Sequence, residues 1–261
     1  MEHDKIYNCD CIEGIRKLPD ECIDLVVTSP PYYNARDYSS YGSYPDYLAA
    51  MDSTFRALHR VVKEGRFIAI NSSPVIEARE KRSVQSKRYP IPFDLHSLLR
   101  DDWQFIDDII WLKPEGAAIN RNGGFYQHRK PLGYKPNVVT EYIMIYRKKT
   151  DRLIDWNMRQ YPQSVVNASK VDGYERTNVW RINPVSDAVH PAVYPEELAE
   201  KVIRYYSYVG DVILDPFMGS GTTAVAAMKL NRHYIGYEIS KEYCDIANKR
   251  IEQNKDLFTT I

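Results

Sequence analysis

Between Val212 and Glu238 the chain alternates in a way that few folds permit. Val212-Ile213-Leu214-Asp215 is an apolar run of strand length, and Pro216 to Thr223 is a turn containing Gly219-Ser220-Gly221. Ala224 to Leu230 has helical composition, and Tyr234-Ile235-Gly236-Tyr237-Glu238 reads as a second strand. Strand, glycine turn, helix and strand make the βαβ unit of an open α/β sheet. Glycines in such a turn let the backbone approach a ligand closely, and the helix N-terminus that follows favours an anionic group. Glu238 stands 19 residues after Gly219, where an acid ending the second strand accepts hydrogen bonds from ribose hydroxyls. The glycines depart from G-x-G-x-x-G, which argues against a dinucleotide and for a smaller adenosyl ligand.

A second stretch, far away in sequence, carries different chemistry. Asp24-Leu25-Val26-Val27-Thr28 is a buried-strand run that stops at Ser29-Pro30-Pro31-Tyr32-Tyr33. Proline fixes φ and restricts the residue before it, so the strand feeds a stiff loop. The loop offers a hydroxyl at Ser29, a carbonyl at Pro30 and a flat ring at Tyr32. That set suits a planar polar ring gripped by stacking and hydrogen-bonded along one edge. On its own the tetrapeptide is equally a proline-terminated strand with exposed tyrosines.

At 261 residues the chain fits one large α/β domain with a modest insertion. No apolar run approaches the ~20 residues that span a bilayer, and Met1-Glu2-His3-Asp4-Lys5 is no signal peptide, so a cytoplasmic protein is expected. Cys9, Cys11, Cys22 and Cys244 make no disulfide framework, and Cys9-x-Cys11 lacks a second pair at metal-site spacing. The net charge is zero, which argues against nonspecific coating of nucleic acid, yet residues 113–137 carry a local net of +4.

Further periodicity fills in the sheet. Strands are expected at Lys5–Asn8, Phe67–Ile70, Phe105–Leu112 and, returning antiparallel, Val139–Tyr146. Helices are expected at Cys11–Leu18, Tyr44–Val62, Phe93–Leu99, Pro195–Tyr208 and Glu242–Gln253. Residues 148–186 are polar, aromatic and aperiodic. The chain divides into a catalytic half at 1–147, a target-recognition insertion at 148–186 and a cofactor-binding half at 187–261.

With both motifs in view, the sequence resembles the S-adenosylmethionine-dependent DNA amino-methyltransferases of the permuted β group. The resemblance rests on Thr28-Ser29-Pro30-Pro31-Tyr32 early and Asp215-Pro216-Phe217-Met218-Gly219-Ser220-Gly221-Thr222-Thr223 late. Asn8-Cys9-Asp10-Cys11, Ile109-Ile110-Trp111-Leu112-Lys113-Pro114, Thr140-Glu141-Tyr142-Ile143 and His190-Pro191-Ala192-Val193-Tyr194-Pro195 also match. It implies a Rossmann-like, seven-stranded mixed sheet of the class I methyltransferase type, circularly permuted. It further implies that Phe217, Gly219, Ser220 and Gly221 line the methionine part of the cofactor, flanked by Thr28, Asp215, Pro216, Thr222 and Thr223. Glu238, with Ile239 beside it, would bind the ribose; Asp10, with Cys11, the adenine; and the segment at His190 would close over the cofactor. Asp10 is equally suited to cap the helix that follows it.

The resemblance also implies a reaction. An exocyclic amine is a poor nucleophile because its lone pair is delocalised into the ring. Ser29 Oγ and the Pro30 carbonyl would accept its two hydrogens, with Pro31 stiffening the loop and Tyr32 stacked on a base flipped out of double-stranded DNA. Tyr33, Asn34 and Arg36 would line the DNA side, with Arg121, Arg129 and Lys130 meeting phosphates. In the family a serine at the first position of the tetrad mostly accompanies cytosine N4, and aspartate or asparagine adenine N6. Cytosine N4 is therefore the favoured target in this reading, with adenine N6 as the alternative. An RNA or protein amide substrate, or DNA binding without turnover, remains a rival. Methylation at cytosine carbon 5 needs a thiolate, and none of the cysteines follows a proline in a suitable loop. The setting implied is prokaryotic restriction and modification, with any endonuclease a separate chain and the enzyme a monomer or homodimer.

Overall fold

The computed structural model describes residues 2–33, 41–77, 81, 86–117, 131–132, 138–185 and 194–258. In chain order the elements are β1 (Lys5–Asn8), α1 (Cys11–Arg16), β2 (Ile23–Thr28), α2 (Tyr44–Val61), β3 (Val62–Ser72), β4 (Val75–Glu77), β5 (Lys87–Tyr89), α3 (Ile91–Leu99) and β6 (Trp103–Leu112). There follow β7 (Thr140–Lys148), α4 (Ile154–Met158), α5 (Gln163–Ala168), β8 (Val179–Arg181), α6 (Glu196–Tyr206), β9 (Val212–Asp215), α7 (Thr222–Lys229), β10 (His233–Glu238) and α8 (Lys241–Phe258).

The main sheet runs β1-β10-β9-β2-β3-β7-β6-β8. From β1 to β3 every pair is parallel, and β7 lies antiparallel to both β3 and β6. This is the mixed class I methyltransferase sheet that the sequence predicts, with one strand more than expected. The extra strand, β8, pairs parallel with the end of β6. Three residues are too short to show a period. What holds them is long-range: Ile110 N–H donates to Asn178 O at 2.7 Å, and Trp111 Nε1 donates to Ile182 O at 2.8 Å.

Pleating explains the two cores. Leu25 and Val27 of β2 face one side, with Leu198, Val202 and Ile203 of α6 and Ala224 of α7. Val26 faces the other, with Ile15 of α1, Met51 and Leu58 of α2 and Leu95 of α3. Both faces are covered by helices, so β2 is buried along its whole length and reads as a continuous apolar run. Helix α2 starts where Ser43 accepts from Asp46 N–H, with a proline in the first turn, and buries Tyr47, Met51, Phe55 and Leu58 at helical spacing.

The insertion divides between the two ends of the sheet. Its first part packs at the N-terminal ends of the parallel strands, away from Ser29. There Arg147 donates to Gly65 O at 2.8 Å and to Asn157 Oδ1 at 2.9 Å. Beside it Arg66 donates to Asp24 O at 3.0 Å, to Tyr161 Oη at 2.8 Å and to Asp211. Tyr161 in turn donates to Asp211 Oδ1 at 2.6 Å. Burial pushes the Asp211 carboxyl above its usual range, and Arg66 opposes that shift. Only β8 and the residues after it return to the edge of the sheet that carries Ser29.

Candidate active site

The C-terminal ends of β2, β9 and β10 converge on a cavity of about 330 Å³. One wall is Ser29, Pro30, Pro31 and Tyr32; another is Pro216, Phe217, Met218, Gly219, Ser220 and Thr222; a third is Glu238, Ile239 and Ser240. Asp10 and Cys11 complete it from the start of α1. Ligands of open α/β sheets bind at this place, outside the carboxyl ends of the strands.

The glycine loop is built from behind. Gly221 has φ +88, and a Cβ there would lie 2.9 Å from the Ala247 side chain on α8, so only glycine fits. Arg250 of α8 donates to Ser220 O at 2.7 Å and Oγ at 2.9 Å. Asp215 sits under the loop, accepting from Thr28 Oγ1 at 2.8 Å, Phe217 N–H at 3.0 Å and Thr223 Oγ1 at 2.6 Å. Tyr194 donates to it at 3.3 Å. Burial pushes the Asp215 carboxyl up to about 6, against the pull of these donors. Thr28, Asp215, Gly221 and Thr223 therefore shape the cavity without lining it.

Glu238 ties the loop to the end of β10. One carboxylate oxygen accepts from Gly219 N–H at 2.8 Å and the other from Ser240 N–H at 2.7 Å. Each oxygen keeps a second lone pair for a hydroxyl. Asp10 Oδ1 caps α1, accepting from Ile12 N–H at 2.9 Å and Glu13 N–H at 3.2 Å. Its other oxygen takes no part in the cap, so capping and adenine binding are compatible. A diol-binding acid, an apolar loop and a polar end at Asp10 fit the ribose, methionine and adenine parts of an adenosyl amino acid.

Burial raises the Glu238 carboxyl, with its backbone donors opposing. The free protein thus holds a proton on Glu238 at higher pH than an ordinary glutamate does, and that proton competes with ribose binding. Cofactor affinity is expected to fall as pH drops through this raised range. In Glu238→Gln it is expected to be weak throughout, without the acid-side fall. Calorimetric titration with S-adenosylmethionine across pH checks this.

The base-side wall has its own support. Tyr32 Oη donates to Glu141 Oε2 at 3.1 Å, and Lys113 donates to Oε1 of the same carboxylate. Burial and the adjoining Glu141 push the Tyr32 phenol well above its usual range, so it remains a donor. Burial likewise takes the Cys11 thiol up to about 11, and no described cysteine is disulfide-bonded.

Tyr33 departs from expectation. Instead of lining the DNA side it is 8% exposed, its ring 4.8 Å from Tyr89 and 5.1 Å from Tyr44 by centroids. A bulky apolar ring next to α2 and β5 gains more from that aromatic cluster than from solvent. Asn34, Arg36, Arg121, Arg129, Lys130 and His190 lie outside the described residues. Sequence reading did not assign Tyr194, Tyr41, Tyr237 or Tyr243 to the cavity, which all four line; among so many tyrosines no local signal marks them.

A nucleoside loop at the carboxyl ends of parallel strands, joined to a rigid base-gripping loop one strand away, defines a class I methyltransferase architecture. Residues 23–249 match the family model described as DNA methylase. The chain is 34% identical to the orphan methyltransferase M.BamHII of Bacillus amyloliquefaciens, over 90% of this chain and 91% of that protein. It is 30% identical to the type II methyltransferase M.SmaI of Serratia marcescens, over 95% and 90%. The crystal structure of TTHA0409, a DNA modification methylase from Thermus thermophilus that is 26% identical, superposes with a TM-score of 0.75 over 96% of this chain and 94% of that one. Its complex with S-adenosyl-L-methionine gives 0.69. The chain belongs to this DNA methylase family, the S-adenosylmethionine-dependent DNA amino-methyltransferases. No described helix is long and apolar enough to cross a membrane.

Proposed function

We propose that the protein methylates the exocyclic N4 amine of cytosine flipped out of double-stranded DNA. The observation that carries this reading is Ser29: a neutral hydroxyl, not a carboxylate, stands at the first position of the tetrad, on one cavity wall with Pro30 and Tyr32. S-adenosylmethionine supplies an electrophilic methyl group on a sulfonium, held by the Phe217–Ser220 loop, Glu238 and Asp10. Ser29 Oγ and Pro30 O accept the amine hydrogens and favour a pyramidal nitrogen whose lone pair points into the cavity. Tyr32 stacks on the base and recovers roughly 1–3 kcal/mol of the flipping cost. Asn34, Arg36, Arg121, Arg129 and Lys130 contact DNA in this reading. Target reading is assigned to 148–186, above all to its end near β8, the part that reaches the Ser29 edge of the sheet. The type II name of the Serratia relative supports a restriction-modification setting, with the endonuclease a separate protein, and a cytoplasmic location.

The test is to incubate the protein with unmethylated mixed-sequence DNA and methyl-labelled cofactor, digest to nucleosides and identify the label by mass spectrometry. Labelled N4-methylcytosine is expected. Labelled N6-methyladenine overturns the base assignment, and absence of label from DNA overturns the substrate.

A further inference from the structure

The ring assigned to stack on the base is tethered by two side chains that lie far from it in sequence and outside the cofactor cavity. Glu141, on β7, faces Trp111 of β6 across the sheet register. Its carboxylate takes the Tyr32 phenol at 3.1 Å on one oxygen and Lys113 on the other. Lys113 Nζ lies 4.4 Å from the Trp111 ring centroid, so the cation is itself fixed. The Glu141 and Lys113 side chains are 15% and 21% exposed. An ion pair this far out of water brings little net stability, and its ordering calls for another explanation.

We propose that Glu141, held by Lys113, is a positioning residue for methyl transfer: it fixes the Tyr32 ring against the flipped base and leaves Ser29 as a hydrogen-bond acceptor. The polarity follows from counting protons. An ammonium only donates and a carboxylate only accepts, so Lys113 and Tyr32 both donate to Glu141. The phenol has one proton and commits it there, which leaves its oxygen an acceptor. The Ser29 side chain interacts with that phenol. Ser29 therefore donates its own proton to Tyr32 and presents lone pairs to the incoming amine, which brings only N–H donors on that edge. A hydroxyl alone can point either way; the anion at the end of the chain selects the productive direction. The charge-assisted bond also makes the ring more electron-rich, which favours it beside an amine that gains positive charge as the methyl arrives.

This inference rests on the reading of Tyr32 as the ring that stacks on the base. Its test is a double-mutant cycle of Glu141→Gln and Tyr32→Phe. It is read as the single-turnover rate of label transfer to saturating mixed-sequence DNA, with cofactor affinity and melting temperature measured alongside. Each single variant is expected to lose roughly ten- to a hundredfold in rate, the range of a hydrogen bond to a charged group. The double variant is expected to be no slower than Tyr32→Phe, with cofactor affinity near wild type. Lys113→Gln carries the same cycle should Glu141→Gln not fold. Losses that multiply in the double variant, an unchanged Glu141→Gln, or a loss that tracks cofactor affinity overturns the positioning role. Wild-type protein that labels no DNA overturns the underlying reading instead.

Discussion

Replacing Arg66 with methionine is expected to lower stability by about 3–5 kcal/mol, the cost of leaving buried charge without its counter-ion. The guanidinium is 5% exposed and lies between Asp24 and Asp211, whose side chains are 3% and 4% exposed. Asp24 keeps Lys63 at 2.7 Å and Val212 N–H at 2.9 Å. Asp211 keeps only neutral donors, Tyr161 and Tyr208 N–H. Its carboxyl, already raised by burial, would rise further without the cation. A raised carboxylate favours the protonated fold, so the variant's deficit is largest at neutral and alkaline pH and narrows as pH is lowered from about 8 to about 5. Thermal denaturation at both ends of that range reads the effect. A melting temperature equal to wild type at the upper end would mean that the pair contributes nothing net. Because Tyr161 joins α4 and α5 to the sheet through this cluster, the variant should also expose 148–168 to protease before the rest of the chain.

The second large effect falls on rate. Ser29→Ala removes one of the two acceptors assigned to the amine while leaving the cavity walls that hold the cofactor. Turnover on DNA is expected to drop by about a hundredfold, comparable to losing one preorganised polar group aimed at developing charge, with cofactor affinity unchanged. Steady-state kinetics with labelled cofactor separates the two. A fall in affinity of the same size as the fall in rate would assign Ser29 to the cofactor.

What could be read from the sequence was what is local. The Val212–Glu238 block announces itself because strand, glycine turn, helix and acid follow one another, and β2 does so because burial on both faces leaves no polar position in Leu25-Val26-Val27. Glu141 and Lys113 carried no such sign. Tyr32 and Glu141 are 109 residues apart, and their meeting depends on β7 turning antiparallel beside β3. The same holds for Tyr161, whose partner Arg66 lies 95 residues earlier. It holds too for β4 and β5, short strands whose role is to bring Tyr89 against Tyr33. An aperiodic segment such as 148–186 looks like one surface region in sequence, whereas its polar side chains divide it between two ends of a sheet.

The parallel pairing of β1 with β10 has a consequence for biosynthesis. Asn8 Nδ2 donates to Glu238 O at 2.9 Å and Ile239 O at 3.0 Å, so the adenine side of the cavity, at Asp10, and the ribose side, at Glu238, come from opposite ends of the translated message. A ribosome releases the catalytic loop long before the glycine turn exists, and the nascent β1 waits at an open edge with no strand to pair with. The cofactor has nothing to hold it until β10 docks. From then on its binding free energy counts toward the whole fold, because no smaller piece of the chain contains the site.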